Sequence, residues 1–265
     1  MKRVDGAGLI ATSFRSLPAF GVTVARDIGE AVRALAAHDG AAVLSGGADL
    51  VAQFNEGFAP THLVDISRID AMKSIEHRNG CLWIGACVTH QQGSASAVVQ
   101  STIPGFAEAW RKIANVRIRM SATIGGNLMA RRTRYEGAIL LSALAARLQF
   151  ESANGPCDIA VEDIWDAVLP AGALLTAIRI PLRDGLRLDY ERSLRPVMTQ
   201  ALAIDLEGIG QLVTATEFTR PRLLDISPGA GYQPYAIGDP VAGDDYLNHT
   251  AGVFMRRQLA RLAAS

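Results

Sequence analysis

Short apolar runs alternate with stretches of helical periodicity along the first two thirds of the chain. Apolar residues recur at helical spacing over 28–35, behind an Asp27 that has the character of an N-cap. The runs 41–44 and 62–66 are short and apolar, which is typical of buried strands. This order predicts a βαβ-like unit that ends near residue 67.

A second unit follows, with a strand predicted over 81–86 and helices predicted over 104–114 and 137–147. Thr89 has an N-cap side chain, so another helix is predicted to begin at His90. We interpret His90 as a first-turn helix residue near the surface rather than as a catalytic group.

The pattern changes after residue 181. Residues alternate between apolar and polar over 187–192, 200–205 and 211–216, which predicts antiparallel strands. The chain closes with an amphipathic helical pattern whose apolar stripe we expect to pack on the chain's own sheet. That stripe consists of Leu247, Ala251, Met255, Leu259 and Leu262.

Composition narrows the function classes. The 26 basic and 26 acidic residues balance, so no global charge favours nucleic acid, and no apolar stretch is long enough to predict membrane insertion. The three cysteines lack metal-ligand spacing, so no metal site is predicted, and such sparse cysteine usage favours the cytoplasm. No catalytic Ser/His/Asp or Cys/His set is evident, which leaves binding chemistry to be considered.

Two glycine pairs carry the most specific signal. Gly46-Gly47 and Gly125-Gly126 are each predicted to lie where a β-rich run ends and a helix begins. Such a loop lets a ligand approach the main chain and turns amide groups toward a phosphate. Seven basic residues and no acidic one lie between Ala109 and Tyr135, around the second pair. This basic stretch predicts either a solvated helix face or a positive field around a diphosphate.

Five motifs in chain order resemble the FAD-binding medium subunit of the molybdenum hydroxylases, the family of xanthine dehydrogenase and aerobic carbon monoxide dehydrogenase. The matching segments are S-G-G-A-D-L at 45–50, I-G-A-C-V-T at 84–89, R-I-R-M-S-A-T-I-G-G-N at 117–127, P-A-G-A-L-L-T-A-I-R-I-P at 170–181 and A-G-V-F-M-R-R at 251–257. Each motif alone is weak to moderate, but five in the family's order are hard to obtain by chance.

The resemblance implies an α+β fold. Its two-lobed, PCMH-like FAD-binding domain would occupy residues 1–180, with lobes over about 1–67 and 68–180. A smaller C-terminal α+β domain would occupy 181–265. The resemblance also implies that backbone amides of both glycine segments are directed at the FAD diphosphate. Carried over by motif, the residues near FAD would be Ser45, Gly46, Gly47, Ala48, Asp49, Leu50, Thr89, Thr123, Gly125, Gly126, Asn127 and Glu136.

The resemblance also implies a role in electron transfer. Such a subunit would take electrons from [2Fe-2S] clusters of a small iron–sulfur subunit and pass them to NAD or another acceptor. Substrate would be oxidised at a molybdopterin cofactor on a large subunit, in paired heterotrimers. Two alternatives stay open from the sequence: a flavin-free structural subunit of such a complex, and a stand-alone flavoprotein oxidase or reductase.

Three departures from the family pattern motivate the flavin-free alternative. Ala48 stands where the family has a hydroxyl or imidazole side chain. Arginines at 131, 132 and 134 replace a polar, proline-containing stretch, and they either compensate by charge or block the pocket. The C-terminal domain is expected to be shortened between Thr216 and Asp244.

Overall fold

Three β-sheets organise the fold, and the computed structural model describes residues 19–193 and 197–264. The strands are β1 (Gly21–Val24), β2 (Ala41–Leu44), β3 (His62–Asp65), β4 (Ile75–Arg78), β5 (Cys81–Gly85), β6 (Arg147–Glu151), β7 (Cys157–Ala160), β8 (Leu174–Pro181), β9 (Arg187–Arg192), β10 (Met198–Ile204), β11 (Gly210–Thr216) and β12 (Arg222–Ile226). The helices are α1 (Ile28–Ala37), α2 (Ala48–Glu56), α3 (His90–Ala95), α4 (Ala97–Thr102), α5 (Pro104–Arg111), α6 (Val116–Ser121), α7 (Ile124–Met129), α8 (Glu136–Ala143) and α9 (Asp244–Ala264), with 3₁₀ turns at Asp70–Met72 and Val161–Trp165. The predicted α+β class is confirmed.

The first sheet is small and parallel, in the order β1–β3–β2. Helix α1 connects β1 to β2, and its Asp27 side chain accepts the Glu30 amide at 2.7 Å as an N-cap. Helix α2 connects β2 to β3 in the same way. The predicted βαβ-like unit is therefore present, and the free carboxyl end of β2 leads directly into the first glycine pair.

The second sheet is antiparallel, in the order β4–β5–β8–β6–β7. Alternate residues of its three central strands, such as Ile84, Leu148 and Ile178, are fully buried. Large side chains of α5 fill the same core, including Phe106 and Trp110. This period-2 burial is what an antiparallel sheet with one covered face requires.

The third sheet is also antiparallel, in the order β12–β11–β10–β9. Strand β10 is buried at every position because α8 and α9 both pack against it. The side chain of Gln258 on α9 accepts a hydrogen bond from Gln200 on β10 at 2.8 Å. The closing helix thus packs on the chain's own sheet, as expected from its apolar stripe.

Several predicted boundaries are wrong. The helix predicted over 104–114 ends at Arg111, and the one predicted over 137–147 runs from Glu136 to Ala143. Ala114 and Ala145 have positive φ values of 52° and 51°, which no α-helix continues through. Helical periodicity alone did not locate these breaks.

Within residues 19–193 and 197–264, no helix combines the length and the apolar character needed to cross a bilayer. Residues 1–18, which belong to the expected first lobe, lie outside the described residues.

Candidate functional site

A cleft of about 570 Å³ opens where the end of β2 faces helices α6 and α7. All the predicted site residues line it except Thr89. Thr89 lies behind the wall, where its side chain caps α3 by accepting the Gln92 amide at 3.1 Å. Its backbone forms a bridge with Thr123. Thr89 therefore supports the second glycine segment instead of facing the cleft.

The first glycine pair begins helix α2 without a side-chain cap. Gly47 is the N-cap in a left-handed conformation, with φ 71°, so the helix starts at Ala48. Among the described residues, no acceptor pairs with the backbone amides of residues 46 to 49. These are the unsatisfied donors that a helix N-terminus presents, and here they line the cleft.

Gly46 serves a different purpose from Gly47. A Cβ at Gly46 would lie 1.7 Å from the backbone oxygen of Ser121, at the end of α6. The first wall of the cleft, residues 45–50, therefore touches the second wall, residues 121–127, through the main chain at this point. A side chain here would push the walls apart.

The second glycine pair is not a loop. Gly125 and Gly126 lie in the first turn of α7, and a helix, α6, precedes them instead of the expected strand. The amide of Gly125 donates to Ala86 O at 3.0 Å, and that of Gly126 donates to Thr123 Oγ1 at 3.2 Å. The amide of Asn127 donates to Thr123 O at 2.9 Å. The backbone donors expected to face a diphosphate are thus already engaged within the chain.

The second segment leaves space in the cleft and contains one unpartnered side-chain atom. A Cβ at Gly126 would meet only Thr123 Oγ1, at 3.1 Å. The side-chain Oδ1 of Asn127 is buried without a hydrogen-bond partner among the described residues. It fits against Gly137, where a Cβ would lie 2.2 Å away. A buried oxygen left unsatisfied costs free energy, so Asn127 is suited to a donor group of a ligand.

The Asp49 carboxylate lies in the first turn of α2 and is held by three donors. Arg132 Nε and Tyr135 Oη each donate to Asp49 Oδ1 at 2.6 Å, and Gln53 Nε2 donates to Oδ2 at 2.5 Å. Burial alone would raise the pKa of Asp49, but the hydrogen bonds from Tyr135, Gln53 and Arg132 lower it overall. The group is therefore ionised and neutralised within the cleft wall.

The three arginines at 131, 132 and 134, where the sequence differs from the family pattern, make different contacts. Arg132 is bound to Asp49 and to Glu56 at 3.0 Å, and Arg131 donates to Ala167 O at 3.5 Å. Neither lines the cleft. Arg134 does line it and forms no ion pair with a described residue, so it presents a positive charge at the opening. Two of the three arginines therefore lie outside the cleft, and the third lines it.

Glu136, at the start of α8, connects the cleft to the third sheet. It accepts hydrogen bonds from Arg192 Nη1 at 2.9 Å and Tyr190 Oη at 3.2 Å. Burial raises the pKa of Glu136, an effect that the Arg192 charge opposes. Arg192 also lines the cleft and was missed from the sequence, because nothing local marks a strand residue as the partner of Glu136.

His90 is buried, contrary to the prediction of a surface position. It is 1% exposed, lines the inner cleft, and accepts a hydrogen bond from Trp110 Nε1 on its Nδ1 at 2.7 Å. Burial, and then the Arg119 charge, lower the pKa of His90 to about 4. The ring is neutral at pH 7, and the Trp110 contact places its proton on Nε2.

The rest of the cleft lining is largely apolar. Phe58, Ile118 and Met129 line the cleft, and their exposed fractions are 40%, 42% and 37%. Sequence reasoning missed these residues because isolated apolar residues carry no chemical motif. Within the described ranges, no group of three or more His, Cys, Asp or Glu side chains is placed to hold a metal ion. A ligand with aromatic and anionic parts suits this lining.

Comparison with known sequences agrees with this geometry. A family model described as "FAD binding domain in molybdopterin dehydrogenase" matches residues 18–183. That range contains the whole of both glycine segments and most of the cleft wall.

Individual relatives are distant. The glyceraldehyde dehydrogenase medium chain of Sulfolobus acidocaldarius is 26% identical over 201 residues, which is 72% of this chain and 72% of that protein. The carbon monoxide dehydrogenase medium chain of Hydrogenophaga pseudoflava is 28% identical over 223 residues, covering 80% of this chain and 77% of that protein.

Among solved structures, a chain of carbon monoxide dehydrogenase from Hydrogenophaga pseudoflava superposes with a TM-score of 0.81 at 24% identity. The superposition covers 94% of this chain and 99% of that one. At this identity the likeness establishes the fold.

Proposed function

Because this chain belongs to the family of FAD-binding domains in molybdopterin dehydrogenases, we propose that it holds FAD in the cleft and relays electrons within a larger enzyme. It is an oxidoreductase component of the medium-subunit type. The observation that carries the proposal is the uncapped start of α2, whose free amides line a cleft of about 570 Å³. A volume of this order suits a dinucleotide-sized ligand.

The residues present fit the cofactor. The amides of Gly47, Ala48 and Asp49 are free to bind the diphosphate, and the α2 macrodipole favours its negative charge. Arg134 adds a cation at the opening. The replacement of the family's polar side chain by Ala48 removes one hydrogen bond to the charged diphosphate, worth about 1.5–3 kcal/mol, and leaves the backbone donors in place.

The second wall contributes shape and a single polar contact. Gly125 and Gly126 keep the wall thin, and Asn127 offers its unpartnered oxygen to a hydroxyl or amino group of the cofactor. Apolar side chains such as Ile118 line the cleft near His90, where bound FAD would displace water. Bound FAD supplies the redox chemistry, so the chain itself needs no nucleophile or general base.

We further propose that the electron donor is a [2Fe-2S] subunit and that a large subunit carries the molybdenum cofactor, in paired heterotrimers. NAD or another acceptor would take the electrons. The sequence resemblance supports these assignments, and the names of the relatives agree with a medium chain among other chains. The three free cysteines, Cys81, Cys87 and Cys157, fit a reducing cytoplasm.

The experiment is a flavin titration of the purified full chain, with FAD and FMN as matched ligands. FMN has the same ring system but lacks the diphosphate and adenine. We expect FAD to bind stoichiometrically with quenching of its fluorescence, and FMN to bind at least about a hundredfold more weakly, a loss of roughly 2.7 kcal/mol.

Equal affinity for the two flavins would contradict a diphosphate site at α2. A colourless chain that takes up neither flavin, alone or on assembly, would favour the flavin-free structural subunit instead.

A further inference from the structure

Helix α2 carries the proposed diphosphate site but contributes little to the core. None of its nine residues is buried, although it includes Leu50, Val51 and Phe54. Helices are usually held in place by a buried apolar face. Phe54 stacks on Phe20 and Phe58, and polar contacts add to this stacking.

Arg132 supplies those contacts at both ends of the helix. Its Nε donates to Asp49 in the first turn at 2.6 Å, and its Nη2 donates to Glu56 in the last turn at 3.0 Å. The Arg132 side chain is 23% exposed and that of Asp49 15% exposed, so this pair is shielded from solvent. Tyr135 adds a second donor to the same Asp49 oxygen.

The Asp49 carboxylate lies beside the amides that would receive the diphosphate. A helix N-terminus favours both anions, but two anions at one site repel each other, the more so where water is limited. A site with an unpaired Asp49 would disfavour a doubly charged ligand. Arg132 removes this conflict from outside the cleft, since it binds Asp49 without lining the cavity.

We propose that Arg132 is a positioning residue for FAD that neutralises Asp49 and so makes the start of α2 receptive to the diphosphate. This inference rests on the proposed FAD site. It also separates the roles within the arginine stretch, because Arg134 lines the cleft whereas Arg132 binds carboxylates of α2 from outside it.

The test compares FAD affinity of four full-length proteins by fluorescence titration at pH 8 and pH 5.5. They are the wild type, Arg132→Gln, the double variant Arg132→Gln/Asp49→Asn, and Arg131→Gln. The last is a matched control, since Arg131 carries the same charge but donates only to a backbone oxygen at 3.5 Å. Thermal unfolding of each protein reports whether it is folded.

At pH 8 we expect Arg132→Gln to bind FAD about tenfold or more weakly than the wild type, on the scale of a like-charge contact of limited exposure. The double variant should recover most of that affinity, because no unpaired carboxylate remains. Arg131→Gln should stay within about threefold of the wild type. A merely structural role for Arg132 would not be rescued by Asp49→Asn.

The pH dependence gives a second readout. The charged or titratable groups that contact Asp49 are Arg132 and Tyr135; Glu56 pairs with Arg132, and Arg134 lies near Tyr135. Without Arg132 the pKa of Asp49 rises, and a neighbouring diphosphate raises it further, so protonation favours binding. Arg132→Gln should therefore gain affinity from pH 8 to pH 5.5, while the wild type and the double variant change less.

The inference is overturned if Arg132→Gln binds FAD as Arg131→Gln does, or if the double variant stays as weak as the single one. If Arg132→Gln does not fold, Arg132→Lys takes its place. This variant keeps the charge beside Asp49 but not the planar guanidinium that also reaches Glu56. FAD affinity should therefore fall by less than about tenfold, and a loss of about tenfold or more would contradict neutralisation. Failure of the wild type to bind FAD would instead contradict the proposed function.

Discussion

The two glycine pairs look alike in sequence but build opposite walls of the cleft. Gly46-Gly47 opens α2 without a cap and leaves the following amides free. Gly125-Gly126 lies inside the first turn of α7, where Thr123 caps the helix and the amides are bound within the chain. The first pair therefore precedes free amide donors, whereas the amides of the second pair are already hydrogen-bonded within the chain.

The contacts that hold the two walls in place also differ. The first wall is held by polar contacts of Arg132 and Tyr135 with Asp49. The second rests on a buried framework in which His90 binds both Trp110 and the Ala122 carbonyl. A glycine pair therefore does not by itself indicate amide donors toward a ligand. The decisive feature is whether the chain already supplies acceptors for those amides.

The largest effect is expected from Gly46→Val, which breaks the contact between the walls. Its Cβ would overlap the Ser121 backbone oxygen, so the walls must separate. We expect the free energy of unfolding to fall by about 3 kcal/mol and FAD binding to be lost. Urea unfolding and flavin titration measure the two effects.

Gly231→Val is the control for that substitution, because a Cβ there meets nothing within 4 Å and the residue has no positive φ. It should leave both quantities nearly unchanged. A Gly46→Val protein that retains FAD would show that the two walls need not touch.

The buried framework of the second wall is tested by pH. The pKa of His90 is about 4, below its usual 6.5, so between these values the unfolded chain binds a proton that the folded chain does not. The stability present above pH 6.5 is therefore lost as the pH falls toward 4, by about 3 kcal/mol. His90→Gln should lack this part of the pH dependence when unfolding by urea is compared at pH 7 and pH 4.5.

Carboxylates also titrate in this range, so the informative quantity is the difference between the wild type and His90→Gln. An equal change in the two proteins would mean that folding does not lower the pKa of His90.

Thr123→Val tests whether Thr123 stabilises the start of α7 without contributing to FAD affinity. It removes the acceptor of the Gly126 amide, which should cost about 1 kcal/mol of stability. FAD affinity should change by less than about threefold, since that amide is not a ligand donor in our assignment. Thr89→Val, which removes the equivalent cap of α3, is the matched control for stability. A marked gain of FAD affinity in Thr123→Val would show that a freed amide at 126 does bind the diphosphate.

The smallest effect on stability is expected from Gly126→Ala. The added methyl group meets only Thr123 Oγ1, and alanine favours the helix by up to about 1 kcal/mol, so the fold should be retained. The methyl group narrows the cleft, so FAD should bind at least about threefold more weakly. Gly125→Ala is the opposite case, because its Cβ would lie 2.7 Å from Ala86 O, and it should lower stability. Unchanged FAD affinity in Gly126→Ala would remove the second pair from the site.

Much of the fold was predictable because it follows from local patterns. The Asp27 and Thr89 caps, strand β2 and the apolar stripe of α9 depend on residues close in sequence, and all are present. The helix before the second glycine pair was not predicted. The apolar residues of α6 alternate with polar ones, which is the period of a strand, and none of its residues is buried.

The sequence by itself determined the family, the α+β class and which segments meet at the cleft, since each of these is encoded in motifs and in apolar periodicity. Only the tertiary structure decided the roles of the residues there. Whether an amide is free depends on an acceptor such as Ala86 O, and the charge of Asp49 is balanced by Arg132, 83 residues away. The burial of His90 likewise depends on Trp110. Hydrogen bonding and desolvation act between groups that are close in space, and the order of residues along the chain does not specify those distances.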